Sequence, residues 1–502
     1  MNYSITSKII LFLLLSFSFQ STSLSAQDCE CNIDQVLNNT VEPCDYTIGS
    51  TDTVYTTEQL RNAITFVNAN NANIERTILI ADGTYPIATT SWYPYITASN
   101  VVFRSLSGNR DACILTGQGM RDVNPETENG IFAVGDNITI ANLTLKELGN
   151  HAIQVTGNNL YVFNVKIQNT YEQMIKASVD PNGNSNGRVK CSLMEYTAGI
   201  GPNWYIGGLD IHQGSGWVVS DNVFKNIASP ADLVAEHAVH FWDESSDNIV
   251  ERNQIINCDR GIGFGLGSSP NTGGIIRNNM IYNNGGHPFN DVGIGLETSP
   301  GTQVYNNTIH VFFQNAIEFR FEETNDVQII NNLCNKPITS RNGGMATLNK
   351  NLTNASNDLF ANLNDGDLRL SGVNGNIVDQ GSNVVSPVFD IDKTNRPQGS
   401  RIDIGAHEWM QSVSTSDPKI ESSFTASPNP FIDQLEISGL NNKMYKVTIY
   451  NQNHRTLFEK NIQGSVLKIK TEDWARGFYN CRLIEVKNPK NIEWIKLVKV
   501  GH

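Results

Sequence analysis

One local pattern recurs along the middle of the chain and constrains its fold more than any other feature. An apolar residue and a second apolar residue five positions later flank a mostly polar stretch, usually with asparagine, every 22 to 31 residues. The first apolar position is held by Ile140, Val162, Val189, Val219, Val250, Ile276, Val304 and Ile329. The second is held by Leu145, Ile167, Met194, Phe224, Ile255, Ile281, Ile309 and Cys334. A fixed pattern at variable steps is typical of a solenoid with one coil per repeat.

Such short segments cannot bury their apolar residues alone, but coils stacked along one axis share a continuous core. We therefore predict an all-β fold, a right-handed parallel β-helix solenoid over residues 51–410, with turn asparagines paired along the axis. The helical periodicity that starts at Thr57 predicts a capping helix over the N-terminal end of the core. The segment Thr77–Tyr85 is expected to hold the first strand.

The capping helix, the turn Ala81-Asp-Gly-Thr-Tyr85, the asparagine-rich coils and the closing segment Asp403-Ile-Gly-Ala-His-Glu-Trp409 resemble one known family. This is the pectin-lyase-like family of right-handed parallel β-helices, nearest its chondroitinase B and alginate lyase group. The resemblance covers about residues 51–410. The resemblance is specific for the fold and says less about the reaction.

The N-terminus predicts export. Lys8, the apolar run Ile9–Phe19 and then Ser25-Ala-Gln27 indicate a signal peptide over residues 1–26. No other stretch approaches a membrane span, so no transmembrane segment is expected after its removal. Residues 27–50 form a cysteine-containing segment in which one disulfide is expected among Cys29, Cys31 and Cys44. Cys191 and Cys334 fall in apolar strand patterns and are expected to be buried free thiols.

The C-terminus carries a second resemblance. After a polar linker over residues 411–422, residues 423–502 are expected to form a small β-sandwich. The start Ser427-Pro-Asn-Pro-Phe431, the strand Tyr445–Tyr450 and the end Lys496–Val500 resemble the C-terminal sorting domain of the type 9 secretion system. The resemblance implies a Bacteroidetes-type bacterium, the secretion machinery as a partner, and a secreted or cell-surface location. A carbohydrate-binding sandwich is the alternative.

Alternation within the strands that precede the turns predicts which side chains face outward. In Leu209–His212, His240–Asp243, Phe264–Gly267, Ile294–Glu297 and Phe319–Glu322 the first and third residues are mostly large and apolar, so they are expected to point inward. One outward column is then His212, Asp243, Gly267, Glu297 and Glu322. The other is Asp210, Phe241, Gly265, Gly295 and Arg320, with Lys176 one coil earlier beside Asp210. A shift of one residue would invert these assignments.

The outward columns predict a site. Because adjacent coils lie about 4.8 Å apart, Lys176, Asp210, His212 and Asp243 are expected to form one group. Glu297 and Glu322 would form a close carboxylate pair. The glycines between the two groups would leave a bare face on which a chain of sugar rings could lie.

These residues favour a polysaccharide lyase that cleaves an anionic, uronate-containing glycan by β-elimination, a reaction that needs a base, an acid and cationic stabilisation. The predicted catalytic residues are Lys176, His212, Asp210 and Arg320. The predicted substrate-binding residues are Gly265, Gly295, Glu322 and Phe241. The predicted ligands of a calcium ion are Asp243 and Glu297.

The family resemblance extends to Gly208–Gly214, which looks like the arginine-bearing coil of the chondroitinase B and alginate lyase group. His212 stands where that group has arginine. The lysine base of the group falls one coil earlier, near Lys176, which lies two residues before the expected position. The resemblance therefore implies the reaction class more than the individual roles.

Three other functions remain open. Glu297 and Glu322 at one coil spacing would suit a retaining glycoside hydrolase, whose carboxyl groups lie about 5 Å apart. A C5-epimerase would share the proton abstraction, and a non-catalytic surface solenoid would only bind or adhere to glycans. With a net charge of −14 the chain is not expected to bind nucleic acid, and it should repel a polyanion unless salt screens the charge. The expected form is a monomer.

Overall fold

The computed structural model describes residues 29–70, 75–87, 92–120, 129–178, 183–383, 388–410, 424–440, 442–451, 456–474 and 477–499. The chain divides into two compact units, Met1–Met410 and Gln411–His502. The predicted signal peptide (1–26) and linker (411–422) lie outside the described residues. Within the described ranges, no helix is long and apolar enough to cross a membrane.

Three parallel sheets form the first unit, and most coils give one strand to each of them. The described strands of this unit are β1 Ser50–Val54, β2 Arg76–Ile80, β3 Gly83–Pro86, β4 Tyr95–Ile96, β5 Val101–Ser105, β6 Cys113–Thr116, β7 Ile131–Ala133, β8 Ile138–Ala141, β9 Thr144–Leu148, β10 Ile153–Val155, β11 Tyr161–Phe163, β12 Lys166–Thr170, β13 Ile175–Ala177, β14 Arg188–Lys190, β15 Leu193–Glu195, β16 Leu209–His212, β17 Val218–Ser220, β18 Val223–Lys225, β19 Val239–Trp242, β20 Ser245–Ser246, β21 Ile249–Glu251, β22 Gln254–Ile256, β23 Ile262–Phe264, β24 Asn271–Thr272, β25 Ile275–Arg277, β26 Met280–Tyr282, β27 Val292–Glu297, β28 Gln303–Tyr305, β29 Thr308–His310, β30 Asn315–Arg320, β31 Val327–Ile330, β32 Leu333–Cys334, β33 Ile338–Arg341, β34 Ala346–Asn349, β35 Phe360–Asn362 and β36 Asp367–Leu370.

The sheet that carries the predicted site residues is called the site sheet. Its strand order is β4-β7-β10-β13-β16-β19-β23-β27-β30-β33. The second sheet runs β1-β2-β5-β8-β11-β14-β17-β21-β25-β28-β31-β34, and the third runs β3-β6-β9-β12-β15-β18-β22-β26-β29-β32. The predicted right-handed parallel β-helix is confirmed.

The two apolar columns of the repeat lie in register. In the second sheet Val162 pairs with Ile140 and with Val189, and the same column continues to Ile329. In the third sheet Leu145 to Cys334 are paired in the same way. All sixteen side chains are buried in one core, because each inward residue covers the one on the coil before it.

An asparagine ladder follows the turn between the second and third sheets. Each side-chain amide donates to the amide oxygen of the next asparagine and to a backbone carbonyl. Its members are Asn222, Asn253, Asn279, Asn307, Asn332 and Asn351. The predicted pairing of turn asparagines along the axis is therefore confirmed.

Helix α2 (Thr57–Ala69) covers the N-terminal end of the solenoid, as predicted. The Thr56 side chain accepts a hydrogen bond from the Gln59 N–H and so caps the first turn. Its buried residues share the core of the sheets and lie at helical spacing: Leu60, Ile64 and Val67. The expectation that Thr77–Tyr85 holds the first strand is wrong, because β1 precedes α2 and pairs in parallel with β2.

Residues 29–48, called here the strap, pack against the outer face of the second sheet. The strap contains the short helix α1 (Ile33–Asn38), and its apolar side chains share a cluster with Tyr161 and Phe163 of β11. Glu30 pairs with Lys393, and Asp34 lies 3.4 Å from Arg369. The strap therefore joins the early coils to the segment that follows the last coil.

Two disulfides hold the strap. Cys29 is bonded to Cys44, in agreement with the expected disulfide in this segment. Cys31 is bonded to Cys191, which directly follows β14, so the expectation of a free thiol at Cys191 is wrong. The sequence placed Cys191 in a strand pattern but did not show that the strap passes over it. Cys334 is free and buried, as expected.

The second unit has its own core and two antiparallel sheets. Its described strands are β37 Thr425–Ser427, β38 Gln434–Ser438, β39 Met444–Asn451, β40 Thr456–Gln463, β41 Val466–Lys470, β42 Gly477–Glu485 and β43 Asn488–Lys499. The sheet orders are β37-β38-β41 and β40-β39-β42-β43. Phe431, Val447 and Leu483 are among the residues buried between the sheets, which agrees with the predicted small β-sandwich.

Candidate functional site

Three predicted residues meet on the outward face of the site sheet. Lys176 is the middle residue of β13, and the register of β13 with β16 places it beside Asp210. His212 lies two residues further along β16, on the same face. The alternation is set by Leu209 and Ile211, which are fully buried in the core. The grouping of Lys176, Asp210 and His212 follows the sequence prediction.

The Lys176 ammonium group lies between a carboxylate and an imidazole. Its Nζ donates to Asp210 Oδ2 and lies 2.8 Å from His212 Nε2. Because an ammonium group has only donors, Nε2 of His212 accepts and the ring hydrogen is on Nδ1. That Nδ1 faces Asp243 Oδ2 at 3.6 Å. The result is a chain of polar groups that runs from Asp210 through Lys176 and His212 to Asp243.

The Asp210 carboxylate is the buried end of this series of polar groups. Its Oδ1 accepts a hydrogen bond of 2.7 Å from the Trp242 indole. Burial by itself would raise the pKa of Asp210, but His212 and the Lys176 charge together hold that pKa well below its usual range. Asp210 is therefore ionised at neutral pH and forms an ion pair with Lys176. The side chains of Lys176 and His212 remain 11% and 17% exposed, so solvent reaches them.

The register of β19 differs from the prediction by one residue. Val239 pairs with Leu209, and Phe241 pairs with Ile211, so Phe241 points inward and is fully buried. The predicted substrate-binding role of Phe241 is wrong for this reason. His240 and Trp242 face outward in its place. The apolar residues on both sides of His240 were the signal that would have fixed this register.

Asp243 and Glu297 do not fit the single calcium site predicted for them. Asp243 follows β19 and Glu297 ends β27, and the two strands are separated by β23. At about 4.8 Å per coil, these carboxylates lie about 10 Å apart along the axis, whereas ligands of one calcium ion lie 2.3–2.6 Å from it. Glu297 is also paired with Arg320 at 2.5 Å. Calcium binding by these residues stays a prediction that the geometry does not favour.

Arg320 and Glu322 lie far from Lys176. Arg320 is outward on β30, five strands along the site sheet from β13, which is about 24 Å. It cannot act on the same sugar as Lys176, so the predicted catalytic role of Arg320 does not fit. Glu297 lies opposite Arg320, and Glu322 is exposed two residues beyond it. The predicted close pair of Glu297 and Glu322 is therefore not in register.

The glycines do not form a bare platform. Gly265 and Gly267 belong to the turn after β23, and a side chain at Gly265 would meet the Glu297 carbonyl oxygen at 1.7 Å. Gly295 is outward but buried, beside Gly263. A side chain at Gly263 would lie 2.7 Å from the His237 ring. The predicted substrate-binding role of Gly265 and Gly295 is wrong because turn backbone and the His237 ring occupy this surface.

Sequence reasoning missed a second group beside the first. His240 was expected to point inward, and neither Glu236 nor His237 was predicted as a site residue. In the structure one ligand atom of each residue lies within 4.8 Å of those of the other two. Burial lowers the pKa of both His237 and His240. The spacing Glu236-His237-x-x-His240 was the signal that could have identified the group.

The cavity found at the C-terminal end of the solenoid contains none of these residues. Its volume is about 460 Å³, and its lining includes Leu333, Asn351, Leu359 and Ile377. The outward cluster lies instead on the outer face of the site sheet. Solenoids commonly bind extended ligands along such a surface.

Comparison with known proteins supports the fold and the export domain. Residues 426–498 match the family described as the secretion system C-terminal sorting domain. The chain is similar to the solved structure of pectate lyase Pel9A, with 16% identity and a TM-score of 0.50 over 72% of this chain and 97% of that one. No curated protein sequence matches the chain significantly.

Two further solved structures are similar over a smaller part of the chain. An alginate lyase from Paenibacillus sp. str. FPU-7 has 16% identity and a TM-score of 0.39, covering 61% of this chain and 99% of that one. Pectate lyase C from Erwinia chrysanthemi, studied with Ca²⁺, has 16% identity and a TM-score of 0.31, covering 61% and 76%. The sorting domain makes the chain a secreted or cell-surface protein that engages the secretion machinery.

Proposed function

We propose that the solenoid unit is a polysaccharide lyase that cleaves an anionic, uronate-containing glycan by β-elimination. The observation that carries the proposal is the 2.8 Å contact between Lys176 Nζ and His212 Nε2 on the outward face of the site sheet. Elimination next to a carboxylate needs one group that takes a proton and one that returns it. A contact this short lets a single proton pass between the two groups.

The roles follow from the protonation states. Neutral His212 takes the proton from the carbon next to the sugar carboxylate, and the imidazolium that forms is stabilised by Asp243 at 3.6 Å from Nδ1. The Lys176 ammonium neutralises the charge that develops on the sugar carboxylate and donates a proton to the leaving 4-linked oxygen. The C–H and C–O bonds break, and a C=C and an O–H bond form. Proton transfer from His212 to Lys176 then restores the starting state.

Asp210 acts as a positioning residue. It binds Lys176 through Oδ2 and Trp242 through Oδ1, so it fixes the ammonium group and the indole ring at once. The Trp242 ring lies 4.2 Å from the His212 ring and stacks on the His240 ring at an interplanar angle of 8°. No step of this mechanism passes through calcium, because the predicted ligands do not surround one ion.

The proposal is tested with a panel of purified polyuronates and glycosaminoglycans. The assay is run with and without added calcium and over a range of salt, since the net charge of −14 repels a polyanion at low ionic strength. A lyase produces an unsaturated end that absorbs at about 235 nm, whereas a hydrolase produces reducing ends without that absorbance. Release of reducing ends alone would contradict the proposal.

Two substitutions connect the activity to the site. Relative to the unmodified chain, we expect Lys176→Ala and His212→Ala each to lower kcat by about 100-fold or more, because each removes one partner of the proton transfer. Lys225→Ala on β18 of the third sheet is the matched control and should retain full activity. If both site variants degrade the glycan like the unmodified chain, the reaction uses another site. If the unmodified chain binds the glycans of the panel without degrading any of them, the solenoid is a binding protein.

A further inference from the structure

The group formed by Glu236, His237 and His240 has the composition of a metal site. Glu236 and His237 lie just before β19, and His240 is on it. The ligand atoms of the three side chains lie within 4.8 Å of one another, and His240 Nδ1 is 3.7 Å from Glu236 Oε2. Ligand atoms about 2.0–2.2 Å from a zinc ion lie about 3.5 Å apart, so small rotations would bring these to bonding distance.

Three polar atoms of this group lack hydrogen-bond partners. In the part of the chain that the structure describes, Glu236 Oε2, His237 Nδ1 and His240 Nδ1 are buried and have none. His237 and His240 are 6% and 1% exposed. A buried polar atom without a partner is destabilising, so three of them in one group are unexplained if the cluster is only structural.

A hydrogen bond to the backbone fixes the orientation of the His240 ring. Its Nε2 lies 3.2 Å from the carbonyl oxygen of Gly265, which requires the ring hydrogen on Nε2. The Nδ1 lone pair then faces two carboxylate oxygens, Glu236 Oε2 and Asp210 Oδ1, each at 3.7 Å. Lone pairs that face one another repel unless a proton or a metal ion lies between them. A metal-binding histidine commonly donates its other N–H to a backbone carbonyl, as His240 does.

The surroundings hold the ligands in place without filling the site. The glycines at positions 263 and 295 leave room for the His237 ring. Arg260 Nη1 lies 3.9 Å from Glu236 Oε2, but its guanidinium is tied to Asp291 at 2.9 Å between Nε and Oδ2. The other described group of possible ligands, Asp390, Asp392 and His407, is already engaged, since Asp392 pairs with Arg369 and Asp390 accepts backbone N–H groups.

We propose that Glu236, His237 and His240 bind one divalent transition-metal ion, and that Zn²⁺ is the ion they fit. Two imidazole nitrogens and one carboxylate oxygen suit zinc, whereas calcium prefers oxygen ligands alone. Three protein ligands leave the fourth position of a tetrahedral zinc site open. Asp210 Oδ1, which lies 3.7 Å from His240 Nδ1, is a further oxygen beside the group. The proposal does not depend on the lyase reaction.

The test uses the full chain after treatment with a chelator and dialysis. Zn²⁺ and Co²⁺ are titrated calorimetrically, and Co²⁺ is also followed by its visible absorption bands. We expect one equivalent to bind and to raise the Tm. Glu236→Gln and His240→Ala should weaken binding at least about 100-fold, and Zn²⁺ should no longer raise the Tm of either variant. His287→Ala, at a half-buried histidine outside the group, is the control and should bind like the unmodified chain.

Glu236→Gln keeps the size and shape of the side chain, so its Tm without metal shows whether the variant is folded. Absence of stoichiometric binding to the unmodified chain would overturn the proposal. Binding that is equally tight in Glu236→Gln and His240→Ala would also overturn it, because the ion would then lie elsewhere. Loss of binding with intact lyase activity would separate this site from the proposed reaction.

Discussion

At the scale of single residues, Asp259 holds the segment that leads into β19. Its Oδ2 accepts the N–H groups of Ser229 and Ala235 at 2.9 and 3.0 Å, while its buried Oδ1 has no partner among the described residues. Burial raises the pKa of this carboxyl to about 6. The folded chain therefore binds the proton more tightly than the unfolded chain, whose pKa is about 4. The stability that this group contributes is complete below about pH 4 and is lost as the pH rises through 6.

We expect Asp259→Asn to remove this pH dependence while its amide oxygen keeps both N–H contacts. Relative to the unmodified chain, the variant should gain about 2 kcal/mol of unfolding free energy between pH 4.5 and pH 8. Denaturant unfolding at the two pH values measures the difference. Asp232→Asn, at an exposed residue of the same loop, should change neither value. A constant difference between Asp259→Asn and the unmodified chain would contradict the assignment.

The site residues could be predicted only where the strand register was unambiguous. Lys176 and Asp210 each lie between two apolar residues, and His212 directly follows one. Their outward direction therefore followed from alternation. His240 was misplaced because Phe241 was read as outward, and a shift of one residue exchanges the faces of a strand. Nothing in the sequence indicates that the His237 ring covers Gly263, since that contact depends on the path of the loop before β19.

At the scale of elements, the asparagine ladder fixes how one coil sits on the next. Asn279 donates through Nδ2 to Asn307 Oδ1 at 2.9 Å and to the Val250 carbonyl at 2.9 Å. Its own Oδ1 accepts from the backbone N–H and the side chain of Asn253. One side chain thus connects its own coil to the coils before and after it. These groups are fully buried, so water cannot replace a lost partner.

Asn279→Ala is expected to lower the unfolding free energy by about 2–4 kcal/mol, because it leaves the buried N–H of Asn253 without its acceptor and removes the side-chain bonds to Asn307 and Val250. The shift in the denaturant midpoint gives the measurement. Asn284→Ala, at an exposed position two residues after β26, is the control and should cost less than about 1 kcal/mol. Equal effects of the two substitutions would show that the ladder contributes little.

The fold could be predicted largely because of this regularity. Columns such as Val162 to Val189 can be recognised in the sequence because each member has the same local pattern. Contacts between segments that do not repeat cannot be recognised in this way. β1 was missed because its alternating Ser-Thr-Asp-Thr-Val residues are mostly exposed, and the bond from Cys31 to Cys191 joins residues 160 positions apart. A repeat shows which residues are neighbours along the axis. The strap crosses the outer surface only once, so no repeat in the sequence predicts its contacts.

At the scale of the whole molecule, the two units have separate cores. The core of the solenoid lies among its three sheets, and that of the second unit lies between its two antiparallel sheets. The described contacts of the Lys176 cluster all lie within the first unit. Folding and chemistry of the solenoid are therefore expected to be independent of the sorting domain.

A chain that ends at Met410 should keep the Tm and the activity of the solenoid but remain inside the cell. Expression in a bacterium with type 9 secretion machinery, followed by measurement of the protein in the medium and on the surface, checks this expectation. The full chain is the control. Export of the shortened chain at the level of the full chain would mean that residues 411–502 do not direct secretion.

The strap has a consequence for the order of assembly. Its residues leave the ribosome before the coils, yet Cys31 can bond to its partner only after position 191 is in place, and Glu30 can pair only after position 393. A segment that is made before the coils is thus among the last to be attached. Until the coils beneath it have folded, the Cys31 thiol remains free to react with disulfides, which distinguishes an incompletely folded molecule chemically.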